Sequence, residues 1–590
     1  MQDDAAVPDI QSFCKGERPQ VRGVRRRDLR APRQSRDSED GFVFGDGIAG
    51  IFFVSAMEEN LYQNSVRRVC IRGDIMKVIY RIVIALAVLA TAILAILSLH
   101  VHMQPDFIDF PEALTAVSSN PFIMLLGAAA FIAINLAIIN IAFLYTLSPK
   151  RRMTIFFLVC LCAEIAAGAV WLQNYAIRPV SDQADVWNMA GLFDAHMGQK
   201  GDMVYFKAYS QQKAIVILMS VFIRIFGSDG LFAYRCFCLF CAASCVLLGG
   251  MLAYRISGRE KAGCMASLLL TEFVPLILYS AYVYGTIPSI CFMLIAFYSV
   301  IRLFQTGRTV YLIPEVISCG CMYAFYTGTL IAIIAIIFTS IYFVISSGRK
   351  MNGKMSVMII IGTVLSLLLT FTINKGAGYY FEVKSGLSAD EDHLPAAAWI
   401  LMGMESNPVI GPGGYDGSNL DLFYKNNQNT KLTNAAAKKE IFQLFNEYRS
   451  GKRDGSFFIG KTITQWTDPW YGGLTMTIYN KVDSDDLGNL TPLFVPDTLE
   501  RIQAFLSMLM ISTYLVVLFY LIKLLFGKNI SQSSLLLPVY IVGGFVFQLF
   551  WETKSRYCLP YYICMLILAG IGMICFMEWL NKDMLHKTRR

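Results

Sequence analysis

The chain is a ladder of apolar blocks, each about 20 residues long, separated by short polar breaks. A block of that length matches the hydrocarbon thickness of a bilayer at the rise of an α-helix, and the blocks are apolar throughout rather than striped on one face. They predict spans at 77–99, 121–147, 153–175, 231–254, 262–284, 286–304, 310–327, 329–346, 355–374, 501–526, 534–551 and 557–580. The expected fold class is therefore an all-α polytopic membrane protein with about 12 transmembrane helices, within 11–13. The stretch Ala214–Gly227 stands apart: it is short and carries Arg224 near its end. Counted as a span it would invert every later loop, so it is expected to lie along the outer membrane surface.

The polar breaks give the sidedness. Basic clusters at Lys150/Arg151/Arg152, Arg255/Arg259/Lys261, Arg302/Arg308, Arg349/Lys350/Lys354, Lys523/Lys528 and the Lys582–Arg590 tail alternate with uncharged turns. Lys and Arg mark cytoplasmic loops, which puts the loop bearing Asp182 on the outer side. Four regions follow: a basic, disordered cytoplasmic tail over 1–75, a transmembrane core over 76–375 containing an outer loop at 176–230, an extracytoplasmic cap over 376–500, and C-terminal helices with a short basic tail over 501–590. Met57 and Met76 are alternative starts. Within the cap, Leu394–Gly403 and Asn434–Tyr448 read as helices, the first dipping towards the membrane, and Gly411-Pro-Gly-Gly-Tyr415 as a tight turn.

Composition agrees with this reading: of 590 residues, 55% are hydrophobic and 16% charged. The net charge of +8 is spread over clusters between apolar blocks, as cytoplasmic loops require, so no nucleic-acid partner is implied. None of the 15 cysteines falls in 176–230 or 376–500, and no spacing matches a zinc or redox motif. Outward loops without disulfides fit a bacterial plasma membrane. His100, His102, His196 and His393 read as dispersed surface residues rather than metal ligands.

Three polar segments fall on the outer face: the Asp182 loop, the cap, and Glu552–Arg556. In the first, Asp182 is followed by Ala190, Gly198, the polar turn Tyr209-Ser-Gln-Gln212 and an amphipathic run ending Phe226-Gly227; the last reads Trp551-Glu-Thr-Lys-Ser-Arg-Tyr557. This order resembles the GT-C superfamily of glycosyltransferases, and more closely the branch of protein O-mannosyltransferases and the lipid A aminoarabinose transferase, over most of residues 77–580. The resemblance implies a GT-C-like helix bundle with a long first catalytic outer loop. It also implies transfer of a monosaccharide from a polyprenyl-phosphate sugar donor to a glycan, lipid or protein acceptor, with the active site facing outside a multi-pass bacterial inner-membrane protein. Members often carry Asp-Glu where this chain has Asp182-Gln183, and Pro-Pro where it has Gln211-Gln212 before Lys213. The missing second carboxylate leaves a divalent cation as a candidate cofactor only.

The chemistry can be argued from the residues as well. A glycosyl phosphate already has a good leaving group, so transfer to a hydroxyl needs a base, cations for the departing phosphate, and a dry site. Asp182 is the first choice for the base, with Asp185 as its orienting partner or as the base itself. The plain alternative is that Ser181 or Asp182 caps the helix that begins there. Lys213, Arg556, Lys207 and Lys554 are candidates for the phosphate. Glu552, four residues before Arg556, is expected to hold its guanidinium, and Gln211, Gln212 and Tyr557 complete the substrate-binding set. Snorkelling at a span end is the plain reading of Arg556 and Lys554. Trp466, Trp470 and Tyr471 are expected in an interfacial aromatic belt, with sugar stacking as the alternative. A polysaccharide polymerase or ligase and a lipid-linked glycan flippase are the other classes. A flippase should show repeats and broken or charged helices in mid-membrane, and no repeat is visible.

Overall fold

The computed structural model describes residues 74–105, 114–144, 148–193, 205–206, 208–347, 353–386, 392–407, 411–478, 485–493, 495–528 and 531–587. The basic N-terminal tail over 1–73, His196, Gly198, Lys207 and the pair Arg349/Lys350 lie outside the described residues. The chain divides into two units between Ile79 and Tyr80, and of the first only 74–79, the opening of the helix Asp74–His100, are described.

Among the described residues, nine helices are long and apolar enough to cross a bilayer: Asp74–His100, Pro121–Ala142, Pro149–Asn174, Ser210–Ser257, Thr286–Thr306, Thr327–Ser347, Gly353–Ser385, Pro496–Phe526 and Leu559–Asn581. A tenth is formed if Glu260–Thr271 and Pro275–Ala281, bent by 59° at their junction, are taken together, and Thr309–Phe325 and Gln532–Gln548 are shorter apolar helices. Their outward faces carry residues such as Phe122, Leu126, Val159, Phe240 and Phe371, all more than half exposed. An apolar surface of that extent is solvated by lipid, and the protein is an all-α, multi-pass membrane protein. Two small antiparallel hairpins are additions that the apolar pattern did not show: Val101–Pro105 with Leu114–Ser118, and Ser406–Asn407 with Gly411–Pro412.

Several boundaries move. The helix expected over 121–147 ends at Ala142, and the one expected over 355–374 runs as Gly353–Ser385, so it carries the chain beyond the apolar block into the region read as the cap. In that region the two helices read from the sequence are Ala396–Gly403 and Thr430–Arg449, the latter capped by the Asn429 side chain accepting from Leu432 N at 2.9 Å, and Ser418–Lys425, Ser456–Trp466 and Gly473–Ile478 are further helices. Lys213–Phe226 is a helix in a 48-residue helical run that breaks at Gly227, whose φ of 57° suits glycine. An unbroken helix of that length would be about 70 Å long, more than twice the hydrocarbon thickness. The turn is tight, because a Cβ on Gly230 would stand 3.0 Å from Ile223 Cα.

Contacts sort the loops onto two ends of the bundle, alternately along the chain. At one end Arg259 pairs with Glu578 at 3.0 Å and Arg152 with Glu260 at 3.9 Å, Lys261 donates to Asn140, Gln305 to the Arg255 carbonyl, and Gln532 to Ser346. At the other, Tyr175 donates to Thr477 O, Met103 N to Thr467 O, and Arg556 to Tyr282. Small residues allow the helices between them to approach: a Cβ on Gly570 would meet Ala266 N, Cα and Cβ at 2.6–2.7 Å. Gly570→Ala is therefore expected to cost about 1–3 kcal/mol through overpacking, read as a lower thermal midpoint of the purified protein. Gly378→Ala, with nothing within 4 Å of the new Cβ, serves as the control and should not lower it.

Candidate functional site

The loop after the helix Pro149–Asn174 presents Asp182 through a strained turn. After the helix Pro149–Asn174, the Ile177 carbonyl accepts from Arg235 Nη2 at 2.6 Å, and the Arg235 guanidinium lies 4.7 Å over the Tyr175 ring. Ser181 then adopts φ 51°, ψ −138°, a conformation unusual for any residue but glycine. Its carbonyl accepts from Ala184 N at 2.8 Å and Asp185 N at 3.2 Å, starting the helix Asp182–Leu192. The Ser181 side chain caps nothing. Asp182 is the first helical residue, where the helix dipole favours a carboxylate.

Its Oδ2 stands 3.7 Å from Arg556 Nη2, with the Asp182 side chain one-third exposed and that of Arg556 10% exposed. Arg556 also donates through Nη1 to Tyr282 Oη at 2.9 Å, touches Met476 Sδ at 3.0 Å, and lies over the Tyr557 ring. The expectation that Glu552 holds Arg556 rests on a helical i, i+4 spacing. Residues 552–554 lie outside any helix and Ser555–Tyr557 is a single 3-10 turn, so that spacing does not apply. Glu552, 1% exposed, instead pairs with Lys554 Nζ at 3.2 Å and accepts from Tyr557 Oη at 2.9 Å.

Two buried ionisable side chains, Asp468 and Lys461, hold these loops. Asp468, fully buried, accepts from Trp470 N at 2.9 Å, Gly472 N at 2.8 Å and Ser555 Oγ at 2.6 Å, tying the turn at 468–472 to the residue beside Arg556. The turn uses positive φ at Tyr471 and Gly472, and a Cβ on Gly472 would stand 3.1 Å from the Arg556 Cβ. Lys461, also fully buried, donates to the carbonyls of Gly403 and Trp551. Burial pulls its pKa down to about 7, against the pull of the nearby Glu552 carboxylate. The neutral amine retains two N–H donors for two carbonyls.

The remaining predicted residues are placed as follows. Asp185 is half-buried one turn beyond Asp182, and both carboxylates act on the Tyr205 hydroxyl. Gln212 is buried and donates to the Tyr284 hydroxyl, while Gln211 is half-buried on the same short turn, Ser210–Gln212. Lys213 faces Glu382 at 3.8 Å and the Phe381 ring. Gln183, in the place of the resemblance's second carboxylate, donates to Met476 O at 3.1 Å and accepts from Val283 N at 2.9 Å. A glutamate there could not make the first of these bonds. Among the described residues no group of three or more His, Cys, Asp or Glu side chains could hold a metal ion.

Trp466, Trp470 and Tyr471, expected in an interfacial belt, are enclosed by protein; Trp470 Nε1 donates to Gln503 and the Tyr471 ring stacks on Tyr562 at 4.3 Å. Sequence reasoning passed over Tyr282, Tyr284, Met476, Lys461 and Asp468. Asp468-Pro-Trp-Tyr-Gly472 is a readable side-chain-to-backbone turn, and the tyrosine run Tyr279–Tyr284 is an unusual loop between apolar blocks; Lys461 and Met476 carry no local signal. No family model matches the chain, and a search of curated proteins finds no match to it.

Lys461 makes a pH prediction. An unfolded lysine keeps its proton to about pH 10, so between pH 7 and 10 the unfolded chain holds one more proton than the folded one, and stability rises with pH by at most about 1.4 kcal/mol per unit. Below pH 7 both states are protonated and this slope vanishes. Thermal midpoints of the purified protein from pH 6 to 10 should show the rise, and Lys461→Met should remove it.

Proposed function

We propose that the protein is an integral membrane glycosyltransferase that moves a monosaccharide from a polyprenyl-phosphate carrier to an extracytoplasmic acceptor, with inversion at the anomeric carbon. The observation that carries this reading is the approach of Asp182 to Arg556 at 3.7 Å, a carboxylate and a guanidinium from segments more than 370 residues apart. In the reaction the donor phosphate takes the guanidinium in a bidentate grip. That frees Asp182, which accepts the proton of the acceptor hydroxyl as its oxygen attacks the anomeric carbon from the face opposite the phosphate. The carbon–oxygen bond to phosphate breaks, and the carrier leaves as polyprenyl phosphate. One carboxylate suffices because the leaving group needs no proton. Asp185, one turn on, orients this base. Tyr282 and Met476 hold Arg556, and Lys554, paired with Glu552, is the second cation beside the phosphate.

The topology supports the same reading. The nine spans, the bent pair taken as one and the two shorter apolar helices make twelve. With basic clusters on the cytoplasmic side, Asp182, the cap and Arg556 all face outward, in a bacterial plasma membrane. An apolar cavity of about 160 Å³, lined by Trp171, Val274, Ile277, Trp470, Leu474 and Ile502 among others, borders the helix Gly473–Ile478 that supplies Met476, and offers room for part of a prenyl chain.

A second reading, export of a lipid-linked glycan, is favoured by the bent pair and by Glu164 and Glu315, buried carboxyls on apolar helices. Radiolabelled monosaccharide transfer from polyprenyl phosphate in membranes separates the two. Asp182→Asn is expected to lower transfer by a factor of about 10²–10⁴ at unchanged abundance. Undiminished transfer moves the base elsewhere. No transfer by the wild-type chain, with lipid-linked glycan accumulating inside cells carrying Glu164→Gln, establishes the export reading instead.

A further inference from the structure

Beside the ion pair stands a wall of aromatic rings. Tyr209 from the first outer loop, Trp399 and Tyr415 from the cap, and Trp551 from the last loop meet there. Trp399 and Trp551 stack with centroids 6.1 Å and planes 16° apart, Tyr209 and Tyr415 lie 5.7 and 6.3 Å from Trp399, and the two tyrosine hydroxyls are 3.1 Å apart. All four residues are half-buried, in contrast to the enclosed Trp466, Trp470 and Tyr471, and the Trp551 ring also stacks on Phe547 at 5.0 Å. Lys554 Nζ sits 5.4 Å over the Tyr415 ring, and the charges of Asp182 and Glu552 both act on the tyrosine hydroxyls, which places the wall next to the proposed reaction centre.

The backbone carrying these rings is held with unusual rigour. Lys461 joins the carbonyls of Gly403 and Trp551, one on the helix that bears Trp399 and the other on the wall itself. Thr553 N donates to Gly413 O at 2.7 Å and its hydroxyl to Pro412 O at 2.7 Å, fixing the turn that leads into Tyr415. A Cβ on Gly403 would stand 2.5 Å from the Trp551 carbonyl carbon. Burying a lysine to lock partly exposed rings is a costly arrangement for packing alone, and suits a surface whose shape must be kept for a ligand.

We propose that this wall is a saccharide subsite, and that the acceptor in the proposed reaction is a glycan. A pyranose has one face of C–H groups and a rim of hydroxyls; the face stacks on Trp399 and Trp551 while Tyr209, Tyr415 and Lys554 address the rim. The donor is already anchored by its phosphate and its lipid, whereas an acceptor has no other hold. Lys554 beside the rings opposes a cationic guest. The assignment rests on the glycosyl-transfer reading and narrows it from glycan, lipid or protein to acceptors carrying at least one sugar ring next to the reacting hydroxyl.

Saturation-transfer NMR on the purified full-length protein, with maltose, cellobiose and N,N′-diacetylchitobiose as probes, tests the subsite. At least one disaccharide should receive saturation at its ring C–H protons. Trp399→Ala and Trp551→Ala should each reduce this at least about fivefold, Trp399→Phe should keep most of it, and Gly378→Ala, remote from the wall, should leave it unchanged. Tyr415→Phe, which removes only a hydroxyl, should weaken it as well and serves if an alanine variant fails to fold. The proposal falls if none of the sugars binds the wild-type protein, if the signals persist in the tryptophan variants, or if tetramethylammonium binds at the wall in their place. Loss of transfer in Asp182→Asn without sugar binding sinks the subsite and leaves the transferase reading standing. Sugar binding at the wall with full transfer in Asp182→Asn does the reverse.

Discussion

Non-helical chain at the edge of a bilayer has to find partners for its own N–H and C=O groups, because the surroundings supply few. Around Arg556 this is met by two buried ionisable side chains, Lys461 and Asp468. Lys461 gathers two carbonyls, those of Gly403 and Trp551, while Asp468 gathers two amides and the hydroxyl of Ser555. Each would be expensive to bury alone, and each is tolerated because its hydrogen-bonding capacity is taken up by backbone from segments distant in sequence. The irregular loops at this end of the bundle stay in place on these two anchors.

From that follows the placing of Arg556. Asp468 fixes Ser555, Gly472 leaves room for the Arg556 Cβ, and Tyr282 and Met476 direct the guanidinium towards Asp182. On the other side of the contact, the strained Ser181 ends the approach of the first loop and starts the helix with Asp182 in its first turn. Neither partner is set by its own neighbours in sequence. The pair is a product of the segment 461–476, the Tyr279–Tyr284 loop and the last loop together, and the aromatic wall is mounted on the same backbone.

Buried carboxyls elsewhere in the bundle form a separate theme. Glu164 is fully buried with neither carboxylate oxygen hydrogen-bonded among the described residues, and Glu315 is buried with its Oε2 likewise without a hydrogen bond there. Helices that carry such groups in hydrocarbon do so at a cost in stability.

How much was legible in the chain differs between the bundle and the site. Blocks of about 20 apolar residues specify helices because hydrocarbon leaves the backbone no other way to bond, and the basic clusters sort the loops because charge resists crossing. Length alone also singled out Ala214–Gly227, and polarity singled out the loops of Asp182 and Arg556. The hairpins, the extension of Gly353–Ser385 and the burial of Trp466, Trp470 and Tyr471 were beyond it, since they depend on what packs against each segment. So too were the partners: Glu552 takes Lys554 and Tyr557, and Arg556 takes Asp182, because residues 552–554 lie outside any helix where a helical spacing had been assumed. Local sequence determines which segments leave the membrane and which side chains they carry; which carboxylate meets which cation is decided only when distant loops share one space, because an ion pair depends on separation in space and not along the chain.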